Sequence, residues 1–246
     1  MSKIDNYRET LKKLDDWIPF LKEESGLPGP RGNLELAHAV AEIGDKQQFK
    51  ELLAFEAEEN TPEVFLVFCG VMGLGRLAAQ EPTLFSQLRG YAFDPRWRIR
   101  EAVATGLQIV GDQDMDLLLK EMQNWSKGNW YEKRAAAAAL AEPRLLKQPK
   151  YAQKTLRILD EITKSMESID NSKEEGFKVL RQAMGYCWSV AVAALPEVGK
   201  PMMENWLESQ DKDIRWMMKE NLKKNRLIKM DPIWVQACIE TLEQAT

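Results

Sequence analysis

The sequence predicts an all-α protein, an α-α superhelix (α-solenoid) of about six stacked helical hairpins. Three observations carry this. Apolar residues recur at steps of three and four, as in Ile4, Tyr7, Leu11, Leu14 and Ile18, which places them on one helical face. No stretch alternates apolar and polar residues with period two, as a half-buried strand requires. Segments centred on Ala37 (LELAHAVAEIGD), Cys69 (EVFLVFCGVMGLG), Ala102 (WRIREAVATGLQIVGD) and Ala135 (WYEKRAAAAALAE) follow one another at steps of 32, 33 and 33 residues. A fixed period of this length marks a repeat architecture, in which each two-helix unit buries its apolar side only against a neighbour.

The elements follow in order. The first apolar face runs from Ile4 to Ile18. Helices are then predicted near 33–44, 47–57, 62–80, 82–92, 95–110 and 114–125, and further on near 130–141, 150–168, 174–194, 198–208, 213–226 and 231–244. Gly and Pro punctuate them. Gly70, Gly73 and Gly75 sit inside a helical pattern with no strand before them, so they read as close helix packing and not as a dinucleotide fingerprint. After Ala139 the period breaks. A long polar helix and the linker Asp170, Asn171 and Ser172 precede GFKVLRQAMGYCWSVAVAAL, giving an enlarged repeat around 143–195. The last unit opens at SQDKDIRWMMKENLKKNRL, with Ser209 and Asp211 as N-cap candidates, and closes with the helix after Asp231-Pro232, the residue types that start helices. One continuous domain over 1–246 is expected.

Composition narrows the chemistry. The 246 residues are 44% hydrophobic with a net charge of −4, a folded composition. The charged opening MSKIDNYRET and the lack of any apolar run near the roughly 20 residues that span a bilayer argue against secretion and against a membrane. Cys69, Cys187 and Cys238 form no CxxC pair, so neither a disulfide framework nor a thiolate zinc site is expected, and a reducing cytoplasm is the expected setting. His38 is the only histidine, which excludes a two-histidine metal site and any mechanism with two imidazoles. Lying among alanines in LELAHAVAE, it reads as structural. GDQDMD at 111–116 has the acidic alternation of a calcium loop, but Leu117 and Gln123 stand where that loop needs glycine and glutamate. No metal, cofactor or catalytic residue is expected. Trp188 and Trp206 are expected in the core.

Charge is unevenly spread. Residues 1–60 carry 8 basic and 13 acidic side chains, whereas 211–229 carry 7 basic and 3 acidic, a local balance of +4 that leaves −8 for the remainder. Because screening confines interactions to about 10 Å at 0.1 M salt, a basic segment can attract an anion on an acidic protein. Lys and Arg late in a helix also complement its dipole as a solvated face.

One recurrence points to binding. An aromatic or apolar residue followed by basic ones opens successive small-residue helices: Trp97 with Arg98 and Arg100, Trp130 with Lys133 and Arg134, and Ile214 with Arg215 and Trp216, followed by Lys219. Equivalent repeat positions align on one surface, so these residues can form a cationic, aromatic-studded groove for phosphates or acidic peptide. The alternative is that the arginines tie neighbouring repeats to carboxylates while the tryptophans pack between helices. Both readings stand at this point.

FDPRWRIREAVATGL at 93–107 resembles a HEAT repeat, in which an Asp-Pro turn leads into a helix bearing a valine or isoleucine and then an arginine. That resemblance extends over most of the chain and implies architecture. GNWYEKRAAAAAL is similar to the segment of HEAT-repeat DNA alkylation-repair glycosylases in which a Trp precedes an Arg-Ala-Ala helix, and DKDIRWMMKENLKKNRL to their next recognition repeat. This implies DNA affinity and makes Arg134 a candidate phosphate contact. It also makes an alkylpurine DNA glycosylase the enzymatic alternative, an activity that uses a tryptophan-lined cleft for a cationic base and a carboxylate opposite the positive sugar. The catalytic residues do not carry over: before Arg134 the sequence reads DPRWRIREA, with no Trp-x-x-x-Asp, and Glu220 stands at the cleft tryptophan's position. The leading expectation is a non-catalytic binding module with a protein or nucleic acid on its concave surface.

Overall fold

The structure is a computed structural model and describes residues 2–167 and 173–244. The linker expected at Asp170, Asn171 and Ser172 lies outside the described residues. Among the described residues there are fifteen α-helices, one 3-10 turn and no strand, so the protein is all-α. The chain divides into two compact units, Met1–Asp114 and Met115–Thr246.

The first unit holds α1 (Lys3–Leu11), α2 (Ile18–Glu23), α3 (Leu34–Ile43), α4 (Lys46–Leu53), α5 (Pro62–Ala78), α6 (Leu84–Tyr91) and α7 (Trp97–Gln113). Its centre is α5, which buries 13 of its 17 residues; a helix apolar on all sides needs neighbours all round. Those neighbours are α2, α3, α4, α6 and, most extensively, α7. The α5–α7 approach depends on glycine, because a Cβ on Gly75 would collide with the backbone of Gly106. Likewise a Cβ on Gly73 would collide with the Phe49 ring. These glycines therefore serve close packing, as the sequence predicts.

The second unit holds α8 (Met115–Trp125), α9 (Trp130–Leu140), the 3-10 turn Pro143–Leu146, α10 (Pro149–Met166), α11 (Glu175–Ala194), α12 (Pro196–Glu204), α13 (Lys212–Leu222), α14 (Asn225–Met230) and α15 (Pro232–Gln244). Here α11 is central, flanked by α9 and α13 and backed by α10 and α12. Asn129 caps α9 in a reciprocal box with Glu132, and Asp211 caps α13 by accepting from the amides of Asp213 and Ile214, which satisfies donors that a helix start leaves open.

Several contacts between neighbouring helices join residues 32 apart in sequence. The Arg76 guanidinium donates to the Gly44 carbonyl, 32 residues back. In the second unit Arg181 pairs with Asp213 at 2.7 Å, and the Ser189 amide donates to Asn221 Oδ1 at 2.8 Å, each 32 residues on. Two contacts in this order along both helices mean that α11 and α13 run parallel. Buried Asn221 also donates to the carbonyls of Met184 and Met217.

Several sequence expectations need correction. The face from Ile4 to Ile18 is two helices: between them the Trp17 indole donates to the Leu11 carbonyl at 2.9 Å, and Asp16 accepts from the amide of Ile18. The helix expected at 47–57 ends at Leu53; the following acidic stretch offers little to bury, and the Ala57 carbonyl accepts from Arg96. The helix expected at 213–226 is divided at Lys224, whose backbone is extended, and α14 then turns Leu227 into the core. Trp188 is fully buried as expected, whereas Trp206 is only half-buried, with its indole N–H donating to Asp160 at 2.8 Å.

Candidate functional site

Three of the eight predicted contact residues lie at the start of α7. Trp97 is 46% exposed. The Arg98 guanidinium lies 4.4 Å from its ring centroid, within cation–π range. Arg98 itself is buried. Nη1 donates to Glu59 at 2.6 Å, and Nη2 donates to the Gly29 carbonyl and to Asn60 Oδ1. These bonds reach back 38 to 69 residues, so Arg98 takes the bracing role, one of the two readings open to it. Arg100 donates to the carbonyls of Asp94 and Pro95 in the turn before its helix.

Trp97 also lines a cavity of about 260 Å³ in the first unit. Leu27, Leu34, Phe65 and Phe68 make it apolar, and Arg31, Arg98 and Glu101 add charge. Glu101 is a residue the sequence reading passes over. The signal is the spacing Trp97-x-x-x-Glu101 in WRIRE, which places an indole and a carboxylate on one helical face.

The other five predicted residues belong to the second unit. Trp130 opens α9, half-buried, with its indole N–H on Glu174 at 3.1 Å and its ring edge-on to Phe177 at 5.4 Å. Lys133 sits 4.4 Å from the Trp130 ring centroid, and burial holds its ammonium below the ordinary lysine range. Arg134 is half-buried on the same helix.

Arg215 and Lys219 come together at α13. With Lys212, Trp216 and Lys223 they line a cavity of about 380 Å³. These positions fall at i, i+3, i+4, i+7 and i+11 along one helix, so a single face carries four cations and one indole. The opposite wall is Ile239 and Leu242 of α15, with Glu243 at the edge. Arg215 is half-buried and donates to the Leu242 carbonyl, joining the two walls. Lys212 and Lys219 are exposed, and Lys223 pairs with Glu220.

Trp216 is fixed from behind. The Arg181 guanidinium stacks 3.7 Å from its ring centroid, and Asp213 holds that guanidinium at 2.7 Å. The indole edge packs where a Cβ on Gly185 would meet it at 3.2 Å. Sequence reasoning leaves Trp216 between core and groove; Arg181 and Gly185, which decide the matter, lie 35 and 31 residues away.

Among the described residues no helix is long and apolar enough to cross a membrane. No protein family, curated protein or solved structure matches the chain.

Proposed function

We propose that this chain is a binding module built of HEAT-like helical repeats, a solenoid arrangement, and that it holds a nucleic-acid backbone in the α13 groove. The repeat reading is supported by polar ties that fall one period apart, Arg76 to Gly44 and Ser189 to Asn221 among them. The observation that carries the binding reading is the row of Lys212, Arg215, Lys219 and Lys223 on one face of α13, above an apolar cavity. Cations in a row neutralise successive phosphates and release counterions, which drives association with a polyanion. Against them stand Glu243 at the edge and Glu220, already paired with Lys223. The test is fluorescence anisotropy with a labelled mixed-sequence oligonucleotide. Lys212→Glu with Lys219→Glu, both exposed in the fold, should weaken binding at least tenfold while the thermal midpoint stays put; unchanged binding would sink the reading.

A second reading, an alkylpurine DNA glycosylase, is favoured by one observation: Trp97 and Glu101 line the same cavity as Phe65 and Phe68. An aromatic wall attracts a cationic base, and a carboxylate opposes charge developing on the sugar. Duplex DNA carrying 7-methylguanine tests it. Base release above the spontaneous rate, lost in Glu101→Gln, is the outcome this reading requires, and no release eliminates it.

A further inference from the structure

We infer that the α13 cavity receives an unpaired nucleobase, so that the groove prefers single-stranded over duplex nucleic acid; the inference rests on the nucleic-acid reading above. The site has two chemistries in one place. Its interior is apolar, with Trp216 on one wall and Ile239 and Leu242 on the other. Its rim carries Lys212, Lys219 and Lys223. A bare phosphate backbone needs only the rim. An apolar cavity left open beneath a cationic rim calls for a ligand that alternates anionic and flat apolar groups, as a nucleic-acid strand does.

Size and rigidity agree with that occupant. The volume of about 380 Å³ exceeds the roughly 150 Å³ that accommodates benzene and falls within the ordinary range for ligand sites, about 300–1,000 Å³. Trp216 is clamped by Arg181 and by Gly185 before any ligand arrives, so little side-chain freedom is lost on stacking. From Lys212 to Lys223 is eleven residues, about 16 Å of helix axis at roughly 1.5 Å per residue, enough to follow several phosphates past one inserted base. A base in a duplex must first be unstacked and unpaired before it can enter; a base in a single strand pays far less to turn aside.

The experiment compares four labelled probes on the unmodified protein by anisotropy at one salt concentration: a single-stranded deoxyoligonucleotide, its duplex, the same strand with abasic sites throughout, and an Asp/Glu-rich peptide with interspersed leucines. Stacking one base on an aromatic surface is worth roughly tenfold in affinity. The single strand should therefore bind about tenfold tighter than both the abasic strand and the duplex. Equal binding of intact and abasic strands would overturn this inference and leave the backbone reading standing, and so would a preference for the duplex. Failure of all three nucleic acids, with or without capture of the peptide, would overturn both.

Discussion

Replacing Arg98 with methionine should destabilise the first unit by about 2–4 kcal/mol. The figure follows from what the side chain holds. Arg98 is 8% exposed and pairs with Glu59, whose side chain keeps 33% of its surface in solvent. Stripping one partner from a fully buried ion pair costs about 3–5 kcal/mol, and Glu59's access to water reduces that share. The bonds to the Gly29 carbonyl and to Asn60 add about 0.5–1.5 kcal/mol each, while methionine retains most of the packing volume. For a unit of this size the loss corresponds to a fall of about 10 °C in melting temperature. Thermal denaturation read by circular dichroism gives the magnitude, and hydrogen exchange at the α5 and α7 amides gives the location. An unchanged midpoint, or lost protection confined to the second unit, would refute the bracing role and return Arg98 to the pool of surface contacts.

Two further predictions concern packing and charge. Gly73→Ala should cost about 1–3 kcal/mol by overpacking, since its new Cβ meets the Phe49 ring, whereas Gly90→Ala in α6 meets nothing within 4 Å and should gain up to about 1 kcal/mol from helix propensity; urea titration of both variants checks the pair, and equal effects would contradict it. Asp231 is held below the ordinary aspartate range first by Lys200 at 2.5 Å and then by the Trp234 amide. A carboxylate with a depressed folded pKa binds fewer protons than it does unfolded, so its contribution is present above the unfolded value of 3.8 and is lost as pH falls through the lower folded value. Lys200→Met should move the Asp231 titration, followed by carboxyl-carbon NMR, upward toward that ordinary value; no movement would show that Lys200 is not the main cause.

The helices were legible where apolar periodicity and punctuation agreed. The observed α3, α9 and α11 start and stop within one residue of expectation, because Asn33, Asn129 and the buried alanine and glycine faces all point the same way. Periodicity failed where a side chain from farther along claimed a backbone group. Trp17 takes the Leu11 carbonyl at the end of α1, although the apolar spacing runs on to Ile18 unbroken. The same limit governs the sites. Arg98 and Arg100 share a helix and a charge, yet one reaches back to Glu59 and Gly29 in a distant segment while the other bonds the turn beside it. Their different fates depend on where the residues 29–60 travel, which no local pattern encodes. Arg215 and Lys219 were legible as cationic, but the cavity beneath them requires α15 to return beside α13 and Gly185 to admit an indole.

The most direct test of the binding account is the salt dependence of affinity for a single-stranded oligonucleotide. With four cations lining the α13 groove, three or four phosphate contacts predict a slope of about −2 to −3 in log K against log salt, at roughly −0.7 per contact. Lys212→Glu with Lys219→Glu should flatten that slope by at least one unit. A slope near zero, or one the double substitution leaves unchanged, would contradict the assignment of this groove to a nucleic-acid backbone.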